Sequence, residues 1–153
     1  MTMTAYLVKV KARTIRTVQI DPSTSYEQIR GFIGCDRIDM VRIDRDHCIV
    51  VDDDGMSDEL PCFTEAEGYA GPLAGDLLIV GVNARGDTVS PRRTIEDFAA
   101  SLTIRYPVLS PAFEMLTGPS IFGSRITGFG IALKSATPRI LAGADNPDDV
   151  IYF

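Results

Sequence analysis

The chain has 153 residues, 45% hydrophobic and 24% charged, with 21 acidic against 15 basic side chains and a net charge of −6. That length gives one domain room for a real core, and the composition is ordinary for a globular protein. The acidic balance argues against general nucleic-acid binding, no apolar run approaches the roughly 18 residues that cross a bilayer, and the opening MTMTAYLVKVKAR lacks the pattern of a secretion signal, so a cytoplasmic protein is expected.

The first elements are a strand and its hairpin partner. Tyr6, Val8 and Val10 alternate with Lys9, Lys11 and Arg13, as in a half-buried strand carrying a basic row, and Thr14 to Ile20 forms the second strand. The stretch DPSTSYEQIRGFIG predicts a helix. Thr24 and Glu27 have the spacing of a capping box, Tyr26, Ile29 and Ile33 form an apolar stripe, and Gly34 suits a left-handed C-terminal cap. Strands resume at 37–44 and 47–51, joined by a turn at Arg45-Asp46, and Asp54-Gly55 is a further turn signal.

Residues 61–75 are rich in Gly and Pro and read as a long loop, whereas DLLIVGV (76–82) is the most apolar strand and belongs at the centre of the sheet. A short strand at 87–90 precedes a second helix, in which Ile95, Phe98, Ala99 and Leu102 share one face. Beyond Tyr106-Pro107 glycine and proline recur, and short strands are expected at 125–133, 138–142 and 150–153. The fold class is α+β: a mixed, mostly antiparallel sheet with two helices, a β-grasp-like β-β-α-β-β start and a Gly/Pro-rich C-terminal extension. Residues 1–104 make the α+β domain, and 105–153 are expected to pack on that same domain.

The densest chemical signal lies at 44–67, where nine acidic residues accompany one basic residue, Arg45. A calcium loop of the EF-hand type fails on spacing. With Asp54 and Gly55 in its fifth and sixth positions, Val50 and Pro61 fall where the first and twelfth ligands belong. A looser metal site from Asp52, Asp54 and Glu59 is the alternative, and would make the chain a divalent-metal-dependent hydrolase. Cys35, Cys48 and Cys62 match no zinc or redox spacing and read as reduced thiols used as small hydrophobes. A nucleophilic Cys would need His47, the single histidine, within reach, and no activating motif surrounds it. The glycines at 68, 71 and 75 are followed by no Lys, which excludes a phosphate-binding P-loop.

Four segments, IDMVRI (38–43), IVVDDDG (49–55), PLAGDLLIVG (72–81) and GDTVSPRRTIEDF (86–98), resemble an uncharacterised family of bacterial, phage and plasmid genomes, domain of unknown function 3846. The resemblance spans about residues 4–104. It implies an association with mobile elements, where small non-enzymatic effectors are common, and it carries over no activity, cofactor or catalytic residue. The expected function is a non-enzymatic binding or accessory protein without a cofactor, contacting a protein partner or a second copy of itself as a homodimer. The expected contact residues are Asp52, Asp53, Asp54, Asp58 and Glu59, with Lys9, Lys11 and Arg13 as an opposing patch.

Overall fold

The structure, a computed structural model, describes residues 2–54, 62–117 and 122–142. The expected turn at Gly55, the candidates Asp58 and Glu59, and the expected strand 150–153 lie outside these residues. Among the described residues the elements run β1 (Met3–Lys9), β2 (Thr14–Ile20), a 3-10 turn (Pro22–Thr24), α1 (Ser25–Ile33), β3 (Ile38–Arg42), β4 (His47–Asp52), β5 (Phe63–Ala66), β6 (Leu73–Ala74), β7 (Leu77–Val82), β8 (Thr88–Val89), α2 (Ile95–Ser101), β9 (Leu102–Thr117), β10 (Phe122–Ala136) and β11 (Arg139–Ile140). The expected β-β-α-β-β opening is present. The main sheet has the order β11-β2-β1-β7-β4-β3, with β8 beside β7, and the second sheet has the order β10-β9-β5-β6. Every pair is antiparallel except β11 with β2, so the protein is α+β with a mixed, mostly antiparallel sheet.

The two faces of the main sheet bury separate apolar clusters. Leu7, Ile20, Val50, Leu78 and Val80 pack beneath Ile29 and Ile33 of α1. On the other face Tyr6, Val8, Ile49, Leu77 and Ile79 meet Phe98 of α2 together with Leu102 and Ile104 at the start of β9. A fully buried Leu, Ile or Phe stabilises by about 1.5–3 kcal/mol over an exposed one, so these twin layers hold the fold. β7 is the central strand predicted, with all six residues buried. β1 corrects the expectation of a half-buried strand: it lies between β2 and β7, and both of its faces are covered. It also ends at Lys9, which leaves Lys11 and Arg13 in the turn to β2 instead of along a strand face.

Helix α1 starts differently from the predicted box. Asp21 accepts from the Ser23 N–H at 3.0 Å and so caps the preceding 3-10 turn. The Thr24 hydroxyl accepts from Gln28 Nε2 at 2.6 Å, and Gln28 Oε1 accepts the Asp21 N–H at 3.1 Å. The extra turn replaces the expected Thr24–Glu27 box by a Gln28 side chain that bridges the Asp21 N–H and the Thr24 hydroxyl. The C-terminus is as predicted: Gly34 has φ 76° and donates to the Arg30 carbonyl at 2.7 Å. Tyr26, expected in the apolar stripe, is 54% exposed and lies under the Arg30 guanidinium. Helix α2 is capped by the Thr94 hydroxyl, which accepts the Asp97 N–H, and Leu102 opens β9 instead of closing the helix.

The expected loop at 61–75 contains β5 and β6. Thr64 and Ala66 of β5 point inward and are buried, and β5 pairs with Leu102–Arg105 of β9. Gly81 sits where β7 pairs with β8, opposite Val89, and a side chain there would run into the Ser90 carbonyl and approach the Val89 oxygen at 3.1 Å. Gly81→Ala is therefore expected to cost about 2–3 kcal/mol, the upper part of the overpacking range, read as a lowered urea midpoint at unchanged slope.

Candidate interaction surfaces

Beyond its first turn of pairing, the C-terminal part of the chain is a long two-stranded ribbon. β9 and β10 pair from Ile104–Ala136 outward to Thr117–Phe122, with the register shifted by a bulge between Ile126 and Gly128. At about 3.3 Å per residue, a 16-residue strand such as β9 extends some 50 Å. Its base is tied to the body: Arg105 donates to Ser135 Oγ at 2.9 Å and pairs with Glu65 at 3.4 Å, and the Arg13 guanidinium lies 4.4 Å above the Tyr106 ring. Past Arg105, no described strand pairs with β9 other than β10.

Residues directly opposite each other on paired strands share a face. On one face of the ribbon the rungs are Pro107–Leu133, Leu109–Ile131, Pro111–Phe129, Phe113–Ile126 and Met115–Ser124. Leu109 is 71% exposed, Phe113 60%, Met115 71%, Ile126 53%, Phe129 65%, Ile131 57% and Leu133 56%. The other face holds small residues, Ser110–Gly130 and Ala112–Gly128, and the ion pair Glu114–Arg125 at 2.6 Å. Seven large apolar side chains thus form one continuous uncovered stripe. Singly exposed apolar residues are unremarkable, but contiguous patches above a few hundred Å² mark interaction sites. The sequence carried a signal for this surface in the period-two spacing of 107, 109, 111, 113 and 115, and of 129, 131 and 133.

The residues singled out from sequence gather at one end of the main sheet. Asp52 ends β4 opposite Ile38, while Val51, Leu77 and Val8 lie in line across three strands. Asp52 Oδ1 accepts the Asp54 N–H at 2.9 Å, Asp54 lies 3.8 Å from Arg37, and the Asp53 N–H donates to the Arg37 carbonyl. Between the acidic and basic residues stands a closed contact, Lys9 Nζ to Asp76 at 3.1 Å and to the Phe32 carbonyl at 3.3 Å. Lys11 is exposed in the turn, and Arg13 has the left-handed φ of 58°. The two groups therefore lie at the same end of the main sheet.

Among the described residues, no three His, Cys, Asp or Glu side chains converge on a point where a metal could sit. The three cysteines are free thiols. Burial raises the Cys35 pKa, with the nearby Asp52 charge adding to it, and burial raises that of Cys48; neither is activated as a nucleophile.

His47 is fully engaged as a structural group. It is 2% exposed, and its Nε2 accepts the backbone N–H groups of Arg92 at 3.0 Å and Arg93 at 3.3 Å. Nδ1 therefore carries the proton and donates to Asp44 at 2.8 Å. Phe98 meets the imidazole edge-on at 5.0 Å, and Arg93 spans Asp44 at 3.6 Å and Asp97 at 3.1 Å. Burial works to raise the Asp44 pKa, but the hydrogen bonds from His47 and the Asp46 N–H, with Arg93 nearby, outweigh it and lower the net value. With both ring nitrogens occupied, this histidine pins the segment before α2 onto β4.

Fold and surfaces together define a small α+β domain from which an apolar ribbon projects. The chain belongs to the family described as Domain of unknown function (DUF3846), whose model matches residues 3–103. It is 32% identical over 109 residues to the uncharacterized protein y4iR of Sinorhizobium fredii (strain NBRC 101917 / NGR234), covering 71% of this chain and 68% of that protein. It is 31% identical over 128 residues to protein PsiB of Rhizobium leguminosarum bv. phaseoli, covering 84% of this chain and 93% of that protein. The family match stops where β9 begins, and 128 matched residues cannot fit within the first 103, so the similarity to PsiB runs on into the ribbon. No solved structure matches the chain. The hydrolase alternative finds no support in these relatives, and no described helix is long and apolar enough to cross a membrane.

Proposed function

We propose that this protein is a non-enzymatic binding module that assembles through its ribbon, two copies laying their apolar faces together. The observation that carries this is the continuous stripe from Pro107–Leu133 to Phe113–Ile126 and Met115. A two-stranded hairpin alone is marginal in water and gains stability from a second layer about 10 Å away. A second ribbon supplies that layer from the same residues, in the self-complementary manner of a two-fold contact. Seven large side chains presenting on the order of 100 Å² each approach the ~800 Å² per partner of a standard stable interface.

Salt separates this contact from one made by the acidic segment. Two copies each at −6 repel, so added salt tightens an apolar dimer, whereas it weakens a contact between Asp52, Asp53, Asp54, Asp58 and Glu59 and a basic partner. In sedimentation velocity the native chain is expected to be dimeric at tens of micromolar, more so in 0.5 M NaCl. Replacing Phe113, Phe129 and Ile131 by Ser should give a folded monomer. A native chain that stays monomeric at ~100 µM, or a triple variant that still dimerises, would overturn the proposal.

A further inference from the structure

At the end of the main sheet away from Asp52, four arginines from three separate segments surround one shallow cavity of about 750 Å³. Arg42 closes β3, Arg45 lies in the β3–β4 turn, Arg85 in the β7–β8 turn, and Arg92 in the segment leading to α2. The frame that holds them is well tied. The Val82 N–H donates to the Asp46 carbonyl at 2.7 Å and joins the two turns. Asn83 Oδ1 accepts the N–H groups of Arg85 at 3.0 Å and Asp87 at 2.9 Å, Arg42 Nη1 donates to the Arg45 carbonyl at 3.0 Å, and the Arg92 N–H is held by His47.

Among the described residues, none of these four guanidinium groups has a carboxylate within ion-pair distance, whereas the adjacent Arg93 has two. Among the described residues Asp46 is the single carboxylate in the lining. A third of the chain's 12 arginines thus meet without a carboxylate partner among the described residues, in a protein of net charge −6. Like charges gathered this way repel unless an anion sits among them, and the planar guanidinium fork matches phosphoryl oxygens in a bidentate manner. The volume is that of a small-ligand site, not of a macromolecular groove.

We propose that this cavity binds a small phosphoryl-bearing anion, its diphosphate group held among Arg42, Arg45, Arg85 and Arg92. The site is independent of the ribbon and stands whether or not the chain dimerises. The test is isothermal titration of the full chain with inorganic pyrophosphate, and separately with ADP, at constant ionic strength. Binding of both assigns the diphosphate as the recognised group, and binding of ADP alone adds a contact to the nucleoside. Arg45→Glu with Arg85→Glu, both in exposed turns, should retain the thermal midpoint and lose ~100-fold in affinity, about tenfold for each charge-assisted contact removed. Failure of both probes to bind, or equal binding by the double variant, overturns the proposal. If that variant fails to fold, Arg45→Gln alone with the same titration decides, a tenfold loss supporting the site and no change refuting it.

Discussion

Replacing Phe98 by alanine is expected to remove about 3–5 kcal/mol of stability. The side chain is fully buried and is the joint between three parts of the molecule. Its ring lies 5.8 Å from that of Tyr6 on β1 and 5.0 Å from the His47 imidazole on β4, while the Arg93 guanidinium covers it at 4.3 Å. Helix α2 brings Phe98 and Ala99 as its buried residues to this face of the sheet, so the truncated helix has little left to dock with. Domains of this size are stable by about 5–15 kcal/mol, and the loss would leave the variant at the margin of folding. Urea unfolding followed by far-UV circular dichroism measures it. A loss below about 1 kcal/mol would mean that α2 does not depend on this ring.

The second large effect is expected at His47. His47→Ala strands two backbone N–H donors, those of Arg92 and Arg93, and removes one of the partners of Asp44. A fully buried donor left unpaired costs about 1–3 kcal/mol and these two are part-buried, so with the cavity beside Phe98 the total is about 3 kcal/mol. Asp44→Asn should cost much less, because Asp44 is 37% exposed and water replaces part of its role. Unequal losses in this order support a histidine that acts mainly as an acceptor for the α2 segment. Equal losses would make the His47–Asp44 bond the dominant interaction. Amide exchange at residues 90–94 gives a second readout, since release of that segment from β4 should raise exchange there before it rises in β7.

Helix α1 and strand β7 were legible in the sequence because their signals are local: Ile29, Ile33 and Gly34 for the helix, an unbroken apolar run for the strand. β5 was hidden because its partner is β9, with Thr64 set opposite Ile104, and no local pattern announces a pairing so distant. The basic row on β1 failed for a related reason. Period-two alternation reports one buried face, but β1 is covered on both, and Lys9 reaches water only at its end beside Asp76. In the ribbon, Pro107 and Pro111 looked like breakers, yet a two-stranded ribbon consists of edge strands, where proline is tolerated. The pairing of β9 with β10 sets its apolar residues in one exposed stripe, which no single strand announces. The convergence of Arg42, Arg45, Arg85 and Arg92 had no signal along the chain, since it arises only when the β3–β4 and β7–β8 turns meet.

Hydrogen exchange along the ribbon as a function of protein concentration tests the assembly proposal most directly. Amides in 107–115 and 126–133 are expected to exchange rapidly at sub-micromolar concentration and to gain protection as copies pair, while β1 and β7 stay protected throughout. Ribbon protection that does not change between about 0.5 and 100 µM would contradict assembly through this face.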